Sequence, residues 1–562
     1  METFGHVHVH TQWVLILISN ITTMKIKSIF FGLGLLLLTS CLGDLDVKPL
    51  DPNINTADKV YADQNNYSRN LLKIYSVLAM SGQDGEGSSD LEGLDAGNTQ
   101  FYRSLWNLQV ASTDECINSW PDPWVPEVME MKWTPVGNES IEGVYHRAMY
   151  MVAISNEYLV QTTDAYMAER GIEESFWPTV HQYRYEARFL RALAYVYLMD
   201  MYGNPPFITE SNYSSEPSQI GRAELFNWIE KELTDIKDEL VEAKTAGFYG
   251  RADQGVVNAL LSRMYLNAEV YTGKPMYDKC VAISKEIIDM PVYGLADTYA
   301  DLFKADNDRS DVAKEFIFPI VYEGTKTQTF GGIRFLIAAS RGDGEVSEEI
   351  DGFKGGWSGN RALPNLVNRF TYSDQSNPTA ESINDKRGIF MDKNRSIDIQ
   401  TTYVKTFETE GWAVYKFTNM RSDGLPGTNP DSPDTDIPLI RLPEIYLNYA
   451  EAVVRGGGGS KAEAVRLINM LRERAYGHDK AAITEADMTV DFLLEERSRE
   501  LYWEGTRRTD LVRYGNFTSG SYLWQYKGGV KLGTGVETYK NVYPIPSSDL
   551  SVNGNLKQNI GY

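Results

Sequence analysis

Cysteine and histidine are scarce in this chain, three and six among 562 residues. That scarcity removes whole classes of chemistry, because disulfide scaffolds and zinc sites both need several such residues at set spacings. Cys41 follows an N-terminal leader and reads as a lipid-attachment site, described below, so Cys116 and Cys280 leave room for one disulfide at most. His146, His181 and His478 are scattered along the chain and read as core or surface side chains rather than as ligands or bases. Positive charge is short too: 54 Lys and Arg stand against 77 Asp and Glu, a net charge of -23. Such a balance repels nucleic-acid phosphates and argues against a nucleic-acid partner. Also missing are a G-x-S-x-G elbow, an H-E-x-x-H helix and a P-loop. A glycoside hydrolase needs only two carboxylates about 5–10 Å apart. With 77 acids, composition leaves that class open.

What is present is a globular composition, 42% hydrophobic and 12% aromatic with 34 tyrosines. Tyr and Trp pair an apolar ring with a polar handle, which suits cores and wet binding surfaces alike. The N-terminus carries an address. From Met24 the chain reads MKIKSIFFGLGLLLLTSC, a short basic region, an apolar run and small residues before Cys41. This is the pattern of a cleaved secretory leader, and the cysteine after the small residues resembles the bacterial lipoprotein box, with Cys41 as the lipid-attachment site. Residues 1–23 read as the product of an upstream start, 24–40 as the signal peptide and 41–61 as an extended tether.

Residues 81–100 carry five glycines and almost no apolar side chain, and read as a loop. Helical periodicity predicts helices near 70–80, within HQYRYEARFLRALAYVYLMDMYG (181–203), and over 221–243, 254–271, 276–289, 443–455, 460–475 and 488–504. Successive helices of this length suggest stacked pairs of the tetratricopeptide kind. Residues 320–440 have no sustained period and form a long irregular insertion, where binding residues tend to lie on a rigid scaffold.

The stretch INSWPDPWVPEVMEMKW (117–133) sets Trp120 and Trp124 among three prolines. Proline disfavours regular structure before it, so both rings are expected on an irregular loop. ADNDRSD (305–311) resembles part of a calcium loop but lacks the EF-hand glycine and glutamate; it leaves at most one structural calcium, and no metal or other cofactor is assigned. The charges of EERSRELYWEGTRRTDLVR (495–513) read as helix-face ion pairs at i, i+4.

IPLIRLPEIYLNYAEAVVR (437–455), EERSRELYWEGTRRTDLVRYG (495–515), YPIPSSDLSVNGNLKQNIGY (543–562) and YEARFLRALAYVYLMDMYGNPPF together resemble the signature segments of the SusD/RagB family. The likeness runs in order from Cys41 to Tyr562. FYRSLWNLQVASTDEC, GRADQGVVNALLSRMYLNAEVYTG and FKADNDRSDVAKEFIFPI are similar to the family's starch-binding member. The resemblance implies a mainly α fold. Residues 62–562 would form a single SusD-like domain of tetratricopeptide-like helix pairs, with long irregular loops and few short strands. It also implies a non-catalytic lipoprotein of the outer membrane and cell surface, consistent with Asp44 and Asp46 after the lipid cysteine. Such a protein binds α-glucan and delivers it to a SusC-type TonB-dependent transporter.

By the same resemblance, Trp120 and Trp357 fall on the aromatic arc that cradles the glucan. Phe330 falls where the starch binder has tyrosine, and Asp95 and Arg103 match positions that hydrogen-bond sugar hydroxyls. Asn118 stands where the starch binder has tryptophan, and Asp122-Pro123-Trp124 replaces a sugar-contacting asparagine. Asn118, Asp122 and Trp124 are therefore secondary candidates. A peptide-binding, RagB-like member would share fold, tether and transporter, its aromatic loops gripping apolar side chains instead.

Overall fold

The computed structural model describes residues 56–562 apart from 213–215, 403 and 479. The leader, Cys41, Asp44, Asp46 and the tether as far as residue 55 lie outside the described residues. The chain divides into two units, 1–62 and 63–562. In the first, the end of the expected extended tether is instead a short helix, Ala57–Tyr61, because the Thr56 hydroxyl accepts from the Lys59 amide and starts a turn beyond the upstream prolines.

The second unit explains the mainly helical content, 47% helix against 6% strand. Helix Glu139–Gln161 packs on Trp177–Tyr202, which also packs on Arg222–Ile236. Gln254–Leu266 packs on Tyr277–Ile288, and Leu442–Val454 joins that pair to Lys461–Tyr476 and Val490–Leu501. Side-chain caps start several of these helices: Asn138, Asp253, Ser460 and Thr489 each accept from an otherwise orphaned amide of the first turn. Gly203, at φ 74°, ends Trp177–Tyr202 in a conformation that favours glycine. That helix is buried on all sides from Phe189 to its end at Tyr202, with Arg191 inside and paired to Glu232 at 2.6 Å.

Four features go beyond the sequence reading or depart from it. Phe101–Trp106 is helical and runs into a π turn, Asn107–Ala111, with every side chain buried. The 495–513 charges do not lie on a solvated face; they enter a buried network. Arg441 meets Glu315 at 3.0 Å, Glu500 at 2.6 Å and Glu504 at 2.7 Å. Arg387 meets Asp385, Glu496 and Glu500, and Arg507 meets Asp114 at 2.9 Å. Cys116 and Cys280 are both free and buried, so the one possible disulfide is not formed. In 305–311 the Asp306 carboxylate pairs with Arg309 at 2.7 Å and accepts from the Ser422 amide and hydroxyl.

The irregular insertion is bracketed by strands Phe316–Ile320 and Ile437–Arg441, which pair antiparallel. Within it, helix Gly332–Ala338 and strand Asn360–Ala362 position the site.

Candidate functional site

Strand Cys116–Asn118 pairs antiparallel with Asn360–Ala362, Asn118 opposite Asn360. Trp120 leaves the first strand just as Trp357 approaches the second, and the Ser119 amide donates to Gly359 O at 2.9 Å. The 357–360 segment hangs from the end of helix Gly332–Ala338. The Trp357 amide donates to Ala338 O at 2.7 Å, and the Gly359 amide to Ala339 O at 2.9 Å. Carbonyls at a helix end lack partners within the helix, so this docking satisfies them. Phe330 lies just before the same helix. Gln100 Oε1 fixes that start, accepting from the amides of Gly332 and Arg103, each at 2.9 Å. A Cβ at Gly331 or Gly332 would strike Gln100 or Tyr322, which is why glycines follow Phe330.

One helix and one strand pair thus bring together three rings from positions far apart in sequence. Trp120 and Trp357 are 6.4 Å apart between centroids with planes at 48°, and Trp357 and Phe330 are 6.5 Å apart at 49°. No neighbouring pair is coplanar, so the aromatic surface bends at each joint. All three rings are half-buried. Trp120 is held on two sides. Its amide donates to Asn118 Oδ1 at 2.8 Å and its indole Nε1 to Trp357 O at 2.8 Å, while the ring lies against the bare Cα of Gly359.

Arg103 sits beneath the arc, 6% exposed, its guanidinium carbon 5.3 Å from the Trp120 ring, 4.8 Å from Phe335 and 5.9 Å from Trp357. Its Nη1 donates to Phe330 O at 3.3 Å. Burial lowers its pKa to about 10, against the pull of Asp95, Glu139 and Asp122, so it stays cationic near neutrality. Asp95 Oδ1 accepts from the Gly97 and Asn98 amides at 2.9 and 2.6 Å, an Asx turn that aims the exposed carboxylate at the site's rim.

The secondary candidates separate. Trp124 opens helix Trp124–Met129 and is 5% exposed, a core residue rather than a loop ring, because a proline before a helix start is tolerated. Asn118 is buried, donating to Asn360 Oδ1 at 2.7 Å while holding the Trp120 amide; it supports the arc from below and presents nothing to a ligand. Asp122 is exposed beside the arc. Sequence reasoning missed Phe335, Gly359, Arg334 and Glu139. Glu139 begins its long helix next to the Asp95–Arg103 group, and burial raises its pKa. A carboxylate at a helix start carries no one-dimensional sign of that neighbourhood.

A model of the SusD family matches residues 400–562. Over 96% of this chain and 100% of its own length, the starch-binding protein SusD of Bacteroides thetaiotaomicron is 36% identical. The chain belongs to the SusD family. A SusD-like protein of Formosa agariphila, P25, is 24% identical over 66% of this chain and 70% of its own. Among solved structures, surface glycan-binding protein A from Bacteroides thetaiotaomicron, in complex with laminarihexaose, aligns with TM-score 0.67 and 19% identity over 88% of this chain and 99% of that one. A laminarin-binding SusD-like protein aligns with TM-score 0.66 and 20% identity over 89% and 99%. These structures show the SusD-like fold. As a member of this family the chain is not an enzyme, which sets aside the hydrolase alternative.

Proposed function

We propose that this SusD-like protein captures α-glucan chains of the starch or malto-oligosaccharide kind on the Trp120–Trp357–Phe330 arc. The observation that carries the reading is the bend of 48° and 49° at successive joints. A pyranose has apolar C–H faces that stack on aromatic rings and a hydroxyl rim that meets charged groups. Rings that turn at each joint suit a chain whose sugars also turn, as α-1,4 linkages make them do. A flat β-1,4 chain would call for coplanar rings. In this reading sugar hydroxyls meet the exposed carboxylate of Asp95 at the rim and the outer nitrogen of Arg103 below it. The starch-binding name of the relative at 36% identity supports the same ligand. The laminarin-binding neighbours make a curved β-1,3-glucan the second reading. Peptide capture, as in a RagB-like member, has no such ring geometry in its favour.

In this reading residues 62–562 act as one glycan-binding domain on the outer-membrane surface, anchored through a lipid on Cys41, and hand the glucan to a SusC-type TonB-dependent transporter. The test is isothermal titration with maltoheptaose, a cyclic α-glucan, laminarihexaose and cellohexaose. Saturable binding of the two α-glucans is expected. Binding of laminarihexaose alone would move the assignment to β-1,3-glucan, and binding of none of the four would overturn it.

A further inference from the structure

Each joint of the aromatic arc is backed by a guanidinium. Arg103 backs the Trp120–Trp357 joint. Arg334 backs the other: its guanidinium carbon is 4.6 Å from the Phe330 ring and 5.9 Å from the Trp357 ring. Arg334 lies on the first turn of helix Gly332–Ala338 and stacks on Phe330, which sits just before that helix. Its Nη1 donates to Glu86 Oε2, an ion pair to a residue 248 positions earlier on the glycine-rich 81–100 loop.

The two arginines match in detail. In both, the buried Nε–H has no partner among the described residues. In both, Nη1 is taken by the protein, by Phe330 O for Arg103 and by Glu86 for Arg334. Among the described residues, that leaves the outer Nη2 of each without a protein acceptor. A planar fork held flat on a ring at one edge and pinned at one nitrogen is pre-organised to donate from the other. The same loop touches the Phe330 end a second time, because a Cβ at Gly97 would come within 3.0 Å of Phe330 Cβ.

We infer that Arg334, pinned by Glu86, is a second guanidinium contact for the bound glycan, donating from Nη2 to a sugar hydroxyl at the Phe330–Trp357 joint. Glu86 is its positioning residue. The inference rests on the arc being the glycan platform. It makes the glycine-rich loop part of the binding site rather than a mere connection.

The experiment titrates full-length protein with maltoheptaose and, in parallel, laminarihexaose, for wild type, Arg334→Met, Arg334→Lys and Glu86→Gln, with a thermal melt of each. Methionine keeps the stacked apolar volume and removes the donor. Loss of a hydrogen bond from a charged group predicts that Arg334→Met weakens binding of whichever glycan wild type binds by about tenfold or more. Arg334→Lys, which keeps a donor without the fork, should recover part of that loss. Glu86→Gln should weaken binding about threefold or more without touching the sugar, by freeing the fork from its charged anchor. Because Glu86 is half-exposed, this variant folds even if the Arg334 changes disturb packing. Wild-type binding that Arg334→Met and Glu86→Gln both leave within twofold overturns the inference alone. A wild type that binds neither glycan overturns the platform reading and the inference with it.

Discussion

Gly359 offers a probe of the arc that removes no ring. A Cβ built there would lie 2.6 Å from Cε2 and Cζ2 of Trp120. To restore ordinary contact the ring must retreat by about 0.8 Å. Its Nε1 bond to Trp357 O, now 2.8 Å, would then stretch beyond useful length. Gly359 is itself fixed from both sides, by Ala339 O and by the Ser119 amide, so the strand pair cannot yield in its place. Overpacking of this kind destabilises by about 1–3 kcal/mol, most of it relieved if the half-buried ring swings outward. The consequence for function is the larger one. A ring displaced by that distance loses much of its dispersion contact with a stacked sugar. We expect Gly359→Ala to weaken maltoheptaose binding about tenfold, or 1.4 kcal/mol. Gly554, where a Cβ meets nothing within 4 Å, provides the control, and Gly554→Ala should bind as wild type does. The assay is titration calorimetry with a thermal melt of each variant. A Gly359→Ala protein with wild-type affinity would refute the placement of Trp120 in the platform.

Other parts of the structure make independent predictions. Arg441→Met strips Glu315, Glu500 and Glu504 of a shared partner while leaving them buried, and should destabilise by about 3–5 kcal/mol in chemical denaturation; a loss under 1 kcal/mol would contradict the network's role. Thermal stability should peak at about pH 5. Burial works against ionisation of Glu496 and Glu500, but Arg387 and Arg499 on one, and Arg474 and Arg441 on the other, outweigh it and hold both at about 2. Their contribution is therefore intact above the unfolded value and lost as pH falls. Burial instead raises Glu115 and Asp436 to about 7, so the folded state keeps protons that the unfolded chain has shed, and stability declines as pH rises toward 7. A melting temperature that climbs steadily from pH 5 to 8 would contradict this. Both buried thiols have raised pKa values, Cys280 to about 12 through burial, so a thiol reagent should label neither until the protein is denatured. Labelling at the native rate of a free surface thiol would be the contrary result.

The helices legible in the sequence were those whose apolar face repeats and whose ends carry glycine, proline or a capping side chain, as at Leu442–Val454 and Lys461–Tyr476. Phe101–Trp106 was not legible, since a short helix buried on every side shows no face. Charge patterns misled for a related reason. Arg507 and its partner Asp114 are 393 residues apart, and nothing local distinguishes such a residue from one on a solvated helix. At the site, the family likeness supplied Trp120, Trp357, Phe330, Asp95 and Arg103, and the fold draws their rings and Arg103 into one place. Composition could not separate Trp120 from Trp124, four residues away in the same proline-broken stretch. One is held at the surface by Asn118 and Trp357; the other starts a buried helix. Arg334 was hidden because its contacts depend on a helix too short to leave a period and on a loop 248 residues away.

The measurement that tests the central claim most directly is titration of the Trp120→Ala/Trp357→Ala double variant with maltoheptaose beside wild type, with melting curves for both. Saturable binding by wild type, lost in the variant while its melting temperature holds, is the predicted result. Binding that survives removal of both rings would contradict the aromatic arc as the glycan platform.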